Sequence, residues 1–279
     1  MKKVLPLVLT ICALFMTGCG SEEESAPEKI RVGTIRYLNV TEDALIKSHG
    51  QTDKLRQSPA KYEQVFFDNM NSMVFALLSG DIDEMSTYET VGNYLVKVRP
   101  DLECSLTVPD VKDNFCCAMR EEDVALKKEF DDAIAKLSAD GTLVHLVKQY
   151  LADVDYNSTP KIIHMPYVKG APTIKVAVTG DLPLLDYMRP DGMPAGFNTA
   201  ILAEISKIIG KNFQPVEVNS GARAAALASK KVDVIFWAVV PTGKRDLPPD
   251  FDKPAGVIMT VPYFSDNIVH IRLKNEVTE

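Results

Sequence analysis

One tryptophan, four histidines and five cysteines among 279 residues leave little material for several kinds of chemistry. His49, His145, His164 and His270 are scattered, with no metal-ligand spacing and no nucleophile motif beside them, so each reads as structural. No metal and no cofactor is expected. Cysteine is too scarce and too unevenly spaced for a disulfide framework. With Cys19 set aside, Cys104, Cys116 and Cys117 remain; a bridge from Cys104 to one of the others and three small buried thiols are both open, the thiols being preferred. Positive charge is also short: 31 basic against 38 acidic residues give a net charge of −7. An acidic chain gains nothing from phosphate backbones, so nucleic acid is not an expected partner. Long apolar runs are missing as well. The one candidate, Val4 to Met16, is shorter than the roughly 20 residues a membrane helix needs.

That run instead forms part of a three-part export signal. Lys2 and Lys3 supply a positive start, the apolar stretch follows, and Met16-Thr17-Gly18-Cys19 closes it. The last four residues resemble the lipobox of bacterial lipoproteins, whose cysteine thiol is acylated before cleavage; Met stands where Leu is more usual. The resemblance implies a signal peptide at 1–18, a membrane anchor through lipid on Cys19, and an extracytoplasmic location. An ordinary signal peptide with an incidental cysteine is the plainer reading. Residues 19–29, with Glu22-Glu23-Glu24 and no large apolar side chain from Gly20 to Glu28, then form a solvated tether. Loss of Lys2 and Lys3 with the signal takes the net charge to −9. The remaining length suits one or two domains, and 46% apolar residues can build their cores.

What the chain does have is an internal repeat. Ile30-Arg31-Val32-Gly33 is echoed by Ile174-Lys175-Val176-Ala177, and Ala76-Leu77-Leu78-Ser79-Gly80-Asp81-Ile82-Asp83 by Ala226-Leu227-Ala228-Ser229-Lys230-Lys231-Val232-Asp233. A third echo pairs Asp113-Asn114-Phe115 through Arg120 with Asp266-Asn267-Ile268 through Arg272. The second pair reads in both copies as a helix, a tight turn and a strand carrying Asp near its start. Short β-rich runs at Ile30–Ile35, Gln64–Phe67, Ile82–Thr87, Ile174–Thr179, Phe213–Val218 and Val232–Trp237 alternate with helical patterns. Ile201, Ile205 and Ile208 form one helix face ended by Gly210, and Asn71-Ser72 are expected to cap the helix that begins at Met73. Phe130, Ile134 and Leu137, then Leu143, Leu146, Val147, Tyr150 and Leu151, mark two more helices within 121–152. Pro160, Pro166 and Pro172 punctuate an irregular connector at 153–172. The expectation is an α/β fold of two similar units, each a mainly parallel sheet flanked by helices, with ligand crevices at the carboxyl ends of the strands.

These residues resemble bacterial extracellular solute-binding proteins of family 3, the binding components of amino-acid importers. The second half is similar to the start of such a protein: Ile174–Thr179, Leu182-Pro183-Leu184-Leu185-Asp186-Tyr187, Asp191-Gly192, Gly196-Phe197-Asn198, Lys231-Val232-Asp233-Val234-Ile235, Thr242, Arg245 and Val261-Pro262-Tyr263-Phe264. The first half is similar to the family's later portion, through Asn71 to Asp83, Cys117-Ala118-Met119-Arg120, and Ala139-Asp140-Gly141-Thr142 to Tyr150. The resemblance covers 30–152 and 173–272, but in swapped order. Circular permutation and two tandem half-domains both accommodate that order, permutation being preferred. It implies a two-lobed periplasmic-binding-protein-like fold: one lobe at 30–112, a hinge strand at 113–120, helices at 121–152 packing on the other lobe, the connector at 153–172, the second lobe at 173–265, and a second hinge strand from 266 to the C-terminal residue 279.

The resemblance also implies a site. Thr242 and Arg245 take the positions that grip a ligand's α-carboxylate, for which the planar guanidinium fork is suited; the family's other hydroxyl falls on Val240. Its aromatic clamp falls on Leu182 and Ser220, and its acidic partner for an ammonium on Tyr88, with Glu89 adjacent. Trp237 stands where the family has a tiny residue lining the cleft, so core and ligand roles are both open. Asp181 and Arg223 lie in loops facing the same crevice. Across it, Tyr37, Asn39 and Thr41 precede a short helix whose amides could receive an anion, although Thr41 suits a plain N-cap. The function implied is capture of a small solute, an amino acid or related carboxylate, for the transmembrane subunits of an ABC permease, with no catalysis. A dehydratase-like enzyme on the same fold and a sensing lipoprotein without a transport role are the competing classes.

Overall fold

A computed structural model describes residues 29–39, 61–156, 161–243 and 250–274. The signal, Cys19 and its tether, Thr41, His49 and Arg245 lie outside the described residues. The first half carries β1 (Lys29–Ile35), β2 (Lys61–Phe67), α1 (Met70–Ser79), β3 (Glu84–Tyr88), α2 (Glu89–Val98) and a long β4 (Leu102–Arg120). Helices α3 (Val124–Ala139) and α4 (Thr142–Val147) follow, then a π-helical turn at Lys148–Ala152. The second half carries β5 (Thr173–Val178), β6 (Asp181–Leu182), β7 (Asp186–Met188), β8 (Pro194–Ala195), α5 (Phe197–Ile209) and β9 (Asn212–Glu217). It ends with α6 (Arg223–Ala228), β10 (Val234–Gly243), β11 (Val257–Met259) and β12 (Phe264–Leu273).

The sequence repeat has a physical meaning at its two aspartates. After α1, the amides of Asp81 and Ile82 return to the Ala76 carbonyl, and the Asp83 carboxylate accepts from the Arg31 amide at 2.7 Å. After α6, the amides of Lys231 and Val232 return to Ala226, and the Asp233 carboxylate accepts from the Lys175 amide at 3.0 Å. Each aspartate also donates its own N–H to the carbonyl of the residue it holds. The pattern thus pins the first strand of each half beside the third. The turns differ in one respect: Gly80 takes φ 77°, whereas Lys230 takes φ 61° at some steric cost. The strands themselves begin at Glu84 and Val234, two residues later than their β-rich runs suggest, because 82–83 and 232–233 are spent in these turns.

Both halves build the same arrangement of five strands. In the first lobe the order is β2-β1-β3, then the latter part of β12, then the start of β4. In the second it is β9-β5-β10, then the latter part of β4, then β11. The first three strands of each are parallel, and the fourth is antiparallel. Each lobe therefore takes its antiparallel strand from a chain segment arriving out of the other lobe. The two segments cross where 112–115 pair with 264–267, with Asp113 opposite Asp266. The Asp-Asn echo marks this crossing. Most of 113–120, expected as hinge, already belongs to the second lobe's sheet.

Helix α3 packs on this second lobe: Phe130 stacks on Phe213 at 5.4 Å, the Asp131 carboxylate accepts from the Val261 amide at 2.8 Å, and Glu129 pairs with Lys211. Asn212 ties down the connector, accepting from Val168 N–H at 2.7 Å and donating to the carbonyls of Val168 and Ala171. Helix α1 is capped by Asn69, whose side chain accepts from Ser72 N–H at 2.8 Å. Asn71 and Ser72, expected as caps, lie inside the first turn.

No disulfide joins Cys104, Cys116 and Cys117. Cys116 and Cys117 are buried in β4, but Cys104 is exposed, against the expectation of three buried thiols, because it lies where β4 leaves the crossing for the edge of the first lobe. Burial pushes Cys116 up to about 12 and Cys117 well above its ordinary value. A buried thiol kept protonated is a poor nucleophile. Iodoacetamide followed by mass spectrometry is therefore expected to label Cys104 in the native protein, and Cys116 and Cys117 only after denaturation.

Candidate functional site

The carboxyl ends of the central strands in the two lobes face one another, and the lobes are closed by side chains of the protein itself. Asp181, just after β5, accepts from the amides of Met70 and Asn71, at 3.4 Å for the latter, at the start of α1 in the first lobe. A carboxylate there meets unsatisfied helix N–H groups and the positive end of the dipole. Burial nevertheless raises the Asp181 carboxyl above its ordinary value, against the lowering effect of those amides.

Arg223 is the second bridge. Its guanidinium is wholly buried at the start of α6 and lies 4.4 Å from the Trp237 ring. It donates to the carbonyls of Trp237 at 2.5 Å and Ser220 at 3.3 Å in its own lobe, and to Arg36 at 3.1 Å across the cleft. Asp252 is the third bridge and went unnoticed in the sequence. Its carboxylate accepts from Leu38 and Asn39 N–H in the first lobe, at 2.5 and 3.1 Å, and from Val239 N–H in the second, at 3.2 Å. Burial pushes it up to about 7, despite the nearby Arg223 charge and these amides. The Ser220 amide completes the closure by donating to the Asp68 carbonyl at 3.0 Å.

Trp237 sits at a bulge between Phe236 and Ala238, with φ of 75°. Positive φ is costly for a bulky residue and persists where its surroundings enforce it. Here the indole stands 5.8 Å from Tyr88, edge to face, and over Arg223. Its Nε1 is buried beside the Tyr88 phenol. Tyr37, Tyr88, Leu182 and Trp237 line a space of about 20 Å³, room for roughly one water. Closed in this way, the centre of the cleft is filled by the protein.

The open volume lies next to it. A cavity of about 500 Å³ is bounded by Asn71 and Tyr94 of the first lobe, by Asp181, Leu184 and Tyr187 of the second, and by Tyr150 and Tyr156 of the linking segment. That size suits a small-molecule site. Other expected residues go elsewhere. Thr242 donates to the Lys112 carbonyl at 3.3 Å, beside the crossing, and lines neither space. Glu89 opens α2, its carboxylate accepts from Asn267 at 2.5 Å, and it lines neither space. Asn39 contributes its backbone N–H to Asp252. Thr242 stands there because β10 runs on as a strand to Gly243 along β4.

Gly196, at the start of α5, holds the loop that carries Asp181 and Tyr187. Its φ is 98°, and a Cβ there would stand 2.7 Å from the Leu185 carbonyl oxygen and 2.9 Å from that of Leu184. Both carbonyls are engaged by the Phe197 and Asn198 amides, so they cannot withdraw. Gly196→Ala is expected to cost about 2 kcal/mol, read from the midpoint of a urea unfolding curve.

Two lobes that exchange strands and close over a cleft at their strand ends define a two-lobed binding-protein fold. Residues 174–273 match the profile of "Bacterial extracellular solute-binding proteins, family 3", so the resemblance read from the sequence holds over that segment, and the family is one of binding proteins. Among solved structures, the chain is similar to a ligand binding component of an ABC-type import system from Staphylococcus aureus, solved with zinc bound. The identity is 11%, 88% of this chain and 66% of the other are covered, and the TM-score is 0.44. It is also similar to the GluR0 ligand-binding core from Nostoc punctiforme in complex with L-glutamate, at 11% identity, 89% and 86% coverage, and a TM-score of 0.42. The chain thus spans slightly less than two thirds of the import-system component. A search of curated proteins gives no match. Among the described residues, no group of three or more His, Cys, Asp or Glu is placed to hold a metal ion, and no helix is long and apolar enough to cross a membrane.

Proposed function

We propose that this protein is a lipid-anchored extracytoplasmic solute-binding protein. It takes a small solute, an amino acid or related carboxylate, between its lobes and presents it to the transmembrane subunits of an ABC importer. The observation that carries the reading is the set of polar contacts, from Asp181, Arg223, Asp252 and Ser220, that reach from one lobe to backbone groups of the other. A cleft that closes by such contacts is a device for sensing what lies within it, since a ligand touching both lobes shifts the balance towards closure. Arg245 is proposed to hold the carboxylate, on the strength of the resemblance, and Cys19 to carry the lipid. A sensing lipoprotein would use the same cleft, and the genes beside this one would separate the two roles.

The test is a thermal-shift screen of the full chain in detergent against amino acids, short peptides and organic acids. A ligand at a hundred times its Kd adds about 2.7 kcal/mol to stability. A solute that stabilises the protein without being consumed supports the reading; one turned over by catalytic amounts of protein would replace it with an enzyme. Failure of every solute to shift the melting curve would sink the proposal. For the anchor, Cys19→Ser is expected to leave an unprocessed precursor without lipid.

A further inference from the structure

We infer that the solute carries an organic cation, an alkylammonium or guanidinium group, and that this group lodges in the cavity beside the closed centre of the cleft. The inference rests on the solute-binding reading above and names the chemistry of that site.

The room is there and not at Trp237: about 500 Å³ against about 20 Å³. Four tyrosines line it, each from a different element: Tyr94 from α2, Tyr150 from the π-helical turn, Tyr156 from the connector and Tyr187 from β7. The Tyr94 and Tyr156 rings meet edge to face at 5.5 Å and 84°. Burial, with the neighbouring Tyr94 phenol, pushes Tyr187 up to about 12, and Tyr150 adds to the effect. The Tyr94, Tyr150 and Tyr187 phenols therefore converge on one another. Aromatic rings around a small space attract a weakly hydrated cation through the negative charge of their faces, more strongly when water is excluded.

The charges in the wall agree. Asp153, Asp155 and Asp181 border the cavity with one lysine, Lys161, while Asp153 also pairs with Lys148 at 3.8 Å. Asp181 is withdrawn from solvent and already engaged with the start of α1. An anionic solute would meet a wall in which carboxylates outnumber lysines, whereas a cation would sit favourably beside the desolvated Asp181. A neutral polyol would find rings and hydroxyls but would bring no charge to the faces of the rings. The cavity also meets the demand that closure places on a ligand, because Tyr94 belongs to one lobe and Tyr187 to the other.

Isothermal titration of the full chain in detergent with putrescine, choline and L-arginine, against succinate and glucose, tests the inference. At least one cation is expected to bind. Tyr94→Leu and Tyr156→Leu should each weaken it about tenfold, while Tyr94→Phe and Tyr156→Phe keep near-native affinity because the ring face remains. Circular dichroism identifies any variant that fails to fold, and Asp181→Asn, which preserves shape, supplies an independent loss of affinity. If succinate or glucose binds in preference, or if the leucine variants bind the cation unchanged, the cation assignment is overturned while solute binding stands. Phenylalanine variants as weak as the leucine ones would also overturn it, since hydroxyl hydrogen bonding would then be the source of affinity. If no probe of any charge binds, the cation assignment and the solute-binding reading fall together.

Discussion

Arg223→Met is expected to lower the stability of the protein by about 3–5 kcal/mol, the usual cost of removing one partner from a buried charged network. Three carbonyls, those of Ser220, Trp237 and Arg36, lose their donor at once, and the Trp237 ring loses the cation at its face. Asp252, which burial already holds near 7, also loses its largest stabilising charge. Arg223→Lys should recover little. A single ammonium cannot reproduce three N–H bonds fixed in one plane, and buried Lys deprotonates more readily. Guanidinium unfolding gives the stability, and small-angle scattering shows whether the lobes separate. A variant within about 0.5 kcal/mol of the parent and of unchanged radius would mean that Arg223 does not bridge them.

Acidification from pH 8 to pH 5 should stabilise this protein, the reverse of the behaviour of chains dominated by exposed ion pairs. Burial raises Asp252 to about 7, and Asp186 and Asp266 to about 6, from an ordinary 3.8. Between about pH 4 and 7 the folded chain holds protons that the unfolded chain has released. Raising the pH through the folded values therefore removes stability, and the contribution is complete only below the unfolded value. At 1.36 kcal/mol per unit, about two units from Asp252 and about one each from Asp186 and Asp266 give about 5 kcal/mol between pH 8 and 5. The exposed pairs of Asp83 with Arg31, Asp101 with Arg99 and Asp191 with Arg189 act the other way, since their carboxyls sit below the ordinary value. They cost stability only as the pH falls towards 4 and beneath. The melting temperature should therefore peak on the acid side of neutrality. Asp252→Asn should flatten the pH 6–8 limb, and an unchanged slope in that variant would remove Asp252 as its source.

The legible parts of the sequence are those whose physical cause is local. Asp83 and Asp233 hold the first strand of their own half through the same bonds, so the helix–turn–strand repeat shows without any knowledge of the fold. The Asp-Asn echo at 113 and 266 is legible for the same reason, although its meaning as a crossing is not. The sequence places Asp181 and Arg223 at the crevice, but their bridging role, and Asp252 altogether, could not be read. Asp252 contacts Leu38 across 214 residues, and nothing in Phe251-Asp252-Lys253 distinguishes it from any surface aspartate. Arg223 looked like a loop residue because its burial is created by Trp237 and Arg36 together. The setting of Thr242 in β10 was hidden for a related reason: family resemblance transfers residue types, but not how far a strand continues.

The exchange of strands between the lobes also sets the order in which the chain can be completed as it is made. The first lobe begins at β1, yet its sheet has a gap between β3 and β4 until β12, at Phe264–Leu273, arrives. The second lobe has its borrowed strand as soon as β4 exists, well before β5 is synthesised. The lobe translated first is therefore finished last. Until then β3 presents an unpaired edge, a template for wrong partners. A chain stalled or truncated before residue 264 should behave as an aggregation-prone intermediate, not as one sound lobe joined to an incomplete one.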